Sequence, residues 1–333
     1  MTTVQSTSPG PDRPAPGVGE QAGRAMAEAV QTARALHANL QRVVLGSPSA
    51  ILVAVVAALS GGHLLIEDVP GVGKTVLARS LAVSLGVDLT RIQGHPDLLP
   101  TDVTGVSVYS QDTGTWEFRA GPVFAHVVLL DELNRTPPRT QSALLEAMEE
   151  QQVTVDGESW PLPRPHLVLA TQNPIGQLGT YPLVESQLDR FSLSTALGYP
   201  DARTETALAL RKGGREALAD IGPVCTTDRW ELAIRATRAV HVAPAVAEYA
   251  VAICRATRQA APVRLGASPR ASISMVRSAQ AHALLYGRHY VSPADVRAMA
   301  VAALAHRLVT DGDGQVGVGV VGEILRTIPA PRP

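Results

Sequence analysis

The sequence predicts an α/β fold in which a parallel five-stranded sheet carries helices on both faces and is followed by a small all-α domain. Short apolar runs typical of buried strands alternate with helical segments as far as about Pro200, and helical segments dominate beyond it. A chain of 333 residues is long enough for both parts. The five predicted strands are His63–Ile66, Leu89–Gln93, Val127–Leu130, Leu167–Ala170 and Phe191–Leu197.

Shifts in composition divide the chain into three predicted parts. Residues 1–23 are rich in Pro, Gly, Ser and Thr and nearly lack large apolar residues, which predicts a disordered tail. Residues 24–199 form the predicted core, which opens with an amphipathic helix from Arg24. Residues 200–333 form the predicted helical domain, and the Gly-rich stretch at 311–322 predicts a flexible connection there.

Charge and composition argue against several classes of protein. A formal net charge of −1 provides no basic footprint for nucleic acid. The longest apolar run, residues 50–59, is shorter than the ~20 residues that cross a bilayer. Cys225 and Cys254 lack metal-ligand or disulfide spacing, and no leader segment is evident. We therefore expect a cytoplasmic protein that neither binds nucleic acid nor inserts into a membrane.

A Gly-rich sequence between the first predicted strand and the next helix has the pattern of a phosphate-binding loop. Gly71 and Gly73 permit a tight turn whose N–H groups point at a phosphate, and the helix adds the positive end of its dipole. Lys74 is expected to reach the β- and γ-phosphates of ATP, and Thr75 to ligate Mg²⁺. Asp68 stands where the pattern has Gly. The predicted nucleotide-binding residues are Asp68, Val69, Pro70, Gly71, Val72, Gly73, Lys74, Thr75 and Val76.

Two carboxylates follow the predicted strand Val127–Leu130. Parallel strands would bring Asp131 and Glu132 to the sheet edge that carries the phosphate loop. Asp131 is predicted to hold Mg²⁺, through water or through Thr75, and Glu132 to act as the general base for the attacking water. An exposed acidic turn has the same local pattern, but the occurrence of the acidic pair together with the phosphate loop favours a nucleotide site.

Three further polar residues have both a functional and a structural interpretation. Asn173 follows a buried strand and could orient the attacking water, or it could cap a turn. Arg190 could stabilise the γ-phosphate in a neighbouring subunit, or form a surface ion pair with Asp189. Arg270, in the first turn of a helix capped by Ser268, could reach the phosphates from the second domain or simply lie at the surface.

These motifs, in this order, resemble those of the AAA+ ATPases and, within them, of the MoxR family. The resemblance runs from about Leu40 to Pro329 and implies an AAA+ P-loop αβα core with a helical lid that binds ATP and Mg²⁺. An acidic residue at position 68 looks ordinary in this family. The most specific stretches are residues 61–75, 96–105, 131–135, 141–150 and 170–174.

The resemblance also implies roles for the ambiguous residues. Asn173 matches sensor 1, Arg190 the arginine finger and Arg270 sensor 2. Val106–Arg119 matches a hairpin insertion, in agreement with its β-prone residues around a turn, and Gln152–Leu162 is a second predicted hairpin.

The function implied by the resemblance is Mg²⁺-dependent hydrolysis of ATP by a homo-oligomeric ring, with six subunits as the expected number. Such a ring would remodel, mature or assemble client protein complexes in the manner of a chaperone. A protein with a von Willebrand factor A domain is the implied partner.

Two other functions are compatible with a phosphate loop. A DNA-acting AAA+ motor or transcription regulator is the main alternative, but it predicts a basic groove that the near-neutral charge does not suggest. The other is a nucleotide-binding scaffold without hydrolysis, which the presence of Lys74, Asp131, Glu132 and Arg190 argues against.

Overall fold

The computed structural model describes residues 18–173, 179–210, 216–311 and 314–332. The helices are α1 (Val18–Val43), α2 (Pro48–Ser60), α3 (Lys74–Leu85), α4 (Pro100–Thr104), α5 (Pro138–Glu150), α6 (Glu185–Leu188), α7 (Ala202–Leu210), α8 (Thr227–Ala239), α9 (Pro244–Thr257), α10 (Pro269–Leu285), α11 (Pro293–Leu304) and α12 (Gly314–Thr327). The strands are β1 (Leu64–Glu67), β2 (Leu89–Gln93), β3 (Gly105–Ser110), β4 (Thr115–Ala120), β5 (Val127–Asp131), β6 (Gln152–Val155), β7 (Glu158–Pro161), β8 (Leu167–Gln172), β9 (Leu193–Thr195), β10 (Val263–Leu265) and β11 (Val309–Thr310).

In the described part of the chain, five parallel strands form the central sheet in the order β2–β5–β8–β1–β9. The predicted α/β fold class is therefore confirmed, and the predicted strand bounds differ from the observed ones by no more than two residues. Because the strands are parallel, the carboxyl ends of the neighbouring strands β5, β8 and β1 share one edge of the sheet.

Both faces of the sheet are covered, which explains why its strands are apolar along their whole length. Successive residues of a strand point to opposite faces. Leu64 and Ile66 of β1 belong to the hydrophobic layer that includes α2 and α3, whereas Leu65 belongs to the opposite layer with Leu145 and Met148 of α5.

The first helix begins earlier than the sequence predicted. α1 starts at Val18, so residues 18–23 of the predicted tail are helical, and residues 1–17 lie outside the described residues. Glu20, Gln21 and Ala22 are good helix formers that extend a helix already anchored by the buried Leu36.

The region beyond Pro200 is mostly helical, as predicted. It also contains the short antiparallel pair β10–β11, whose strands are too short to show a period in the sequence. The flexible connection predicted for residues 311–322 is wrong for residues 314–322, which lie in α12 and bury Val320 and Val321. None of the helices in the described ranges has both the length and the hydrophobicity that a membrane crossing needs.

The two predicted hairpins are confirmed and lie against each other. β3 pairs with β4, and β6 pairs with β7. Phe118 of the first hairpin stacks on Trp160 of the second, with ring centroids 4.6 Å apart. Tyr109 and Trp116 contact each other and are 50% and 71% exposed, so the joint hairpin surface presents aromatic rings to solvent.

Candidate nucleotide site

The phosphate loop connects β1 to α3 at the carboxyl edge of the sheet. Gly71 and Gly73 have φ values of 89° and 104°, a region that residues with a side chain rarely adopt. This turn allows α3 to begin at Lys74, so the N–H groups of its first turn have no partner within the helix. Lys74 Nζ donates to the backbone oxygens of Asp68 (2.6 Å) and Val69 (3.2 Å), which holds the ammonium group close to the loop.

A cleft of about 310 Å³ opens beside this loop. Its lining residues are Pro70, Gly71, Gly73, Lys74, Thr75, Val76, Asp131, Glu132 and Asn173. The structure therefore brings the loop, the acidic pair and Asn173 together from the carboxyl ends of three neighbouring strands. Asp68, Val69 and Val72 were also predicted to bind the nucleotide, but they do not line the cleft.

The Asp131 carboxylate is held by two neighbours. Its Oδ1 accepts from the Thr171 hydroxyl (2.7 Å), which also accepts the Glu132 N–H (2.9 Å). Its Oδ2 accepts from Nη2 of Arg91 (2.6 Å) on the adjacent strand β2. Arg91 was not among the predicted site residues. The only sign of its role in the sequence is that a charged residue stands inside a predicted buried strand.

Glu132 turns the chain sharply at the end of β5. Its φ of 57° is in the left-handed region, where a residue with a side chain stores backbone strain. Its carboxylate accepts from Gln93 Nε2 (3.2 Å) and Arg135 Nη1 (3.1 Å). The strained turn thus places the predicted base at the cleft, between a neutral and a charged donor.

The electrostatics of the cleft suit a phosphate bound with a divalent cation. Burial lowers the pKa of Lys74, while the carboxylates of Asp68, Asp131 and Glu132 act to raise it. Thr75 and Asp131 offer the oxygen ligands that Mg²⁺ prefers. Across the described ranges, no group of three or more His, Cys, Asp or Glu could hold a metal ion by itself. Mg²⁺ usually binds through one or two protein groups together with substrate phosphates, and Thr75 and Asp131 are groups of this kind.

The side chain of Asp68 does not line the cleft but binds the segment that follows β9. Its side chain is almost fully buried, and its Oδ2 accepts the N–H groups of Leu197 (2.7 Å) and Gly198 (2.8 Å). Ser47 donates to the backbone oxygen of Leu197 (2.9 Å) from the other side. The residue that departs from the Gly pattern therefore ties the phosphate loop to the segment that follows β9.

Arg190 and Arg270 do not line the cleft, although Arg270 was expected to reach the phosphates from the second domain of its own chain. Arg190 precedes the amino end of β9, whereas the phosphate loop follows the carboxyl end of the parallel strand β1, so the two lie at opposite edges of the sheet. Arg190 Nε lies 3.2 Å from Glu149 Oε2, and Arg270 pairs with the other oxygen of Glu149. The structure thus brings the two arginines to one place, with Glu149 between them.

The fold, the loop and the acidic pair define a P-loop ATPase of the AAA class. Residues 63–193 match the family described as "ATPase family associated with various cellular activities (AAA)", and residues 255–324 match the AAA lid domain. The crystal structure of a candidate ATPase from Cytophaga hutchinsonii is similar with a TM-score of 0.85 and 33% identity, over 94% of this chain and 99% of that one.

Two relatives narrow this class to one family. The protein YeaC of Bacillus subtilis is 43% identical over 88% of this chain and 93% of its own length. The chaperone MoxR1 of Mycobacterium tuberculosis is 37% identical over 98% of this chain and 88% of its own length. The chain belongs to the MoxR family of AAA+ ATPases, which confirms the resemblance seen in the motifs.

Proposed function

We propose that this protein hydrolyses ATP in a Mg²⁺-dependent reaction and uses the energy for chaperone-like remodelling, maturation or assembly of client protein complexes. The main observation in support of this proposal is that Lys74, Asp131 and Glu132 line one cleft beside the start of α3. That combination supplies a phosphate anchor, a metal ligand and a general base.

Each residue of the cleft has a distinct part in the proposed reaction. Lys74 and the first turn of α3 bind the phosphates. Glu132 accepts a proton from the attacking water as the new bond to the γ-phosphorus forms and the bond from that phosphorus to the bridging oxygen breaks, which releases ADP and phosphate. Asn173 orients the attacking water. Thr75 and Asp131 would hold Mg²⁺, which neutralises charge on the phosphate oxygens.

We place Arg190 and Arg270 in the reaction of a neighbouring subunit. The support is their position, since both pair with Glu149 at a distance from the cleft of their own chain. In a closed ring, head-to-tail contacts bring one edge of a subunit to a different surface of the next. A cation supplied in this way stabilises the charge that develops on the transferred phosphoryl group. A homo-oligomeric ring, with six subunits expected, follows from this proposal.

The client and the partner belong to the same proposal. Exposed Tyr109 and Trp116 on the joint hairpin surface support contact with another protein, because exposed aromatic patches mark interaction sites. The proposal of a partner with a von Willebrand factor A domain rests on the family resemblance. The relative MoxR1 is named a chaperone, which supports the assignment of the clients as proteins.

The proposal is tested by steady-state ATP turnover of the wild type and of Glu132→Gln, with mass photometry of both in ATP and Mg²⁺. Loss of the general base should reduce turnover about 100-fold or more, whereas ATP still binds and assemblies accumulate. Glu146→Gln, an exposed glutamate of α5, is the matched control and should keep wild-type turnover. Undiminished turnover in Glu132→Gln contradicts the proposal, and turnover that requires added DNA would favour a DNA-acting motor instead.

A further inference from the structure

Arg307, which follows α11 in the lid, is buried beside the segment that carries Arg190. Only 5% of Arg307 is exposed. Its Nε donates to Asp189 Oδ1 (2.9 Å), and its Nη2 donates to the backbone oxygens of Phe191 (2.7 Å) and Asp189 (3.2 Å). Its Nη1 donates to the backbone oxygen of Ser192 (3.3 Å). One lid side chain therefore binds the residues on both sides of Arg190.

The neighbouring residue of the lid adds to this attachment. The Nε2 atom of His306 lies 3.1 Å from the backbone oxygen of Phe191. Burial lowers the pKa of His306 to about 3, so the ring is neutral at physiological pH and donates through Nε2. The segment that precedes β9 is thus bonded to two consecutive lid residues.

Asp189 extends the connection to the helix that carries Arg270. The Ser268 hydroxyl lies 2.9 Å and 3.0 Å from the two carboxylate oxygens of Asp189. Ser268 is also the N-cap of α10, because its oxygen accepts the N–H of Ala271 (3.2 Å). Arg270 lies in that capped turn, so Asp189 is bonded to Arg307 and to the first turn of α10.

The chemistry of this contact depends on arginine. A buried guanidinium stays charged and offers five donors in a fixed planar arrangement, which here reach a carboxylate and several carbonyl oxygens at once. A lysine would keep the charge but could not present donors in several fixed directions. The pairing of Arg190 and Arg270 with Glu149 is much more exposed, with 28% and 47% of the two arginine side chains accessible, and it holds them less firmly.

We propose that Arg307 is a positioning residue that joins the Arg190 segment to the lid, so that Arg190 and Arg270 reach the neighbouring cleft as one unit. This inference rests on the proposed function, in which both arginines act on the next subunit. It has a specific consequence: a lid displacement in one subunit displaces the arginine finger presented to its neighbour. Arg307 itself touches neither ATP nor the reacting atoms.

The test is complementation between two inactive variants of the full chain. Arg307→Lys should lose turnover about 100-fold, because a displacement of about 1 Å of a catalytic group has effects of that size. It should still bind ATP in its own cleft with wild-type affinity. When Arg307→Lys is mixed in equal amounts with Glu132→Gln, about a quarter of the interfaces join an intact cleft to intact arginines, so about a quarter of wild-type turnover should return.

A second mixture contains Arg190→Ala in place of Arg307→Lys. It distinguishes a failure of this inference from a failure of the proposed function. If neither Arg190→Ala nor Arg307→Lys regains turnover with Glu132→Gln, the trans arginine is contradicted, and the inference falls with it. If Arg190→Ala regains turnover and Arg307→Lys does not, only the role of Arg307 is overturned. Wild-type turnover in Arg307→Lys alone also overturns it.

Two further variants keep the result interpretable. Arg288→Lys alters an arginine that pairs with the buried Asp295 within the lid, and it should retain wild-type turnover. If thermal melting shows that Arg307→Lys does not fold, Asp189→Asn replaces it in the same mixtures. That variant keeps the shape of the side chain and weakens its contact with Arg307, so it should again complement Glu132→Gln, and failure to do so overturns the inference.

Discussion

The two edges of the central sheet are built in different ways. At the carboxyl edge, polar groups line the cleft, and their partners are neighbours in the same site. Lys74 donates to carbonyl oxygens of the phosphate loop, and Asp131 accepts from Arg91. At the amino edge, Arg307 is almost fully buried and bonded to Asp189, Phe191 and Ser192. The polar groups of the cleft can exchange their present partners for a ligand. The bonds of Arg307 at the amino edge can only keep the chain in its present arrangement.

This difference follows from the free energy of buried polar groups. A partly exposed lysine or carboxylate can change partners at small cost, because water compensates for a lost bond. A buried charge that loses its partner has no such compensation. We therefore expect substitutions of residues that line the cleft to affect ligand binding, and substitutions at the amino edge to affect folding and the geometry presented to a neighbour.

The largest expected effect on ligand binding follows replacement of Lys74 by Ala. The loss of a charge-assisted contact to the phosphates should weaken ATP binding about 100-fold or more, since such contacts are roughly twice as strong as neutral ones. Arg190→Ala should bind ATP as the wild type does and lose only turnover. Isothermal titration with ATP and Mg²⁺ compares the two, and equal weakening of binding in both variants would contradict the assignment of Arg190 to a neighbouring site.

The residues at the carboxyl edge could be predicted because their signals are local in the sequence. Gly71, Gly73 and Lys74 lie within one turn, and Asp131 and Glu132 directly follow their strand. Parallel pairing then requires the strand ends to meet at one edge, so the chemistry of the cleft follows from the fold class.

The contacts at the amino edge could not be predicted in this way. Arg307 and Asp189 are 118 positions apart, and their contact exists only after the lid has packed on the core. The same difficulty arises at the carboxyl edge for Asp68 and Leu197, which are 129 positions apart and come together only when β1 and β9 pair. Asp68 was visible as a departure from the Gly pattern, but the partner of its side chain was not.

An effect on stability rather than on binding is expected for Arg307→Ala. Removal of one partner from a buried ion pair leaves Asp189 without its main donor and should lower the free energy of unfolding by roughly 3–5 kcal/mol. Arg270→Ala removes an exposed pair and should cost only about 0–1 kcal/mol. Urea unfolding followed by circular dichroism compares them.

The stability comparison has a clear contrary outcome. Equal costs for Arg307→Ala and Arg270→Ala would mean that the amino edge is no more rigid than a solvated surface, and the contrast between the two edges would fail. A large loss in Lys74→Ala would weaken it as well, because the carboxyl edge is expected to tolerate a change of partner.

The smallest expected effect concerns Asp68, which connects the phosphate loop to the segment after β9. Asp68→Gly restores the residue that the loop pattern prefers, so ATP affinity should change less than about tenfold, while the loss of hydrogen bonds to a charged acceptor weakens the attachment of that segment by about 1.5–3 kcal/mol. Hydrogen exchange should show the amides of Leu197 and Gly198 opening more readily, with the amides of β1 unchanged. Ser47→Ala removes a bond to the Leu197 oxygen and leaves both amide bonds to Asp68 intact, so it should accelerate these two amides much less. If Asp68→Gly left their exchange unchanged, the carboxylate would have no role in holding the segment, and the acidic residue would have to act through the cleft after all.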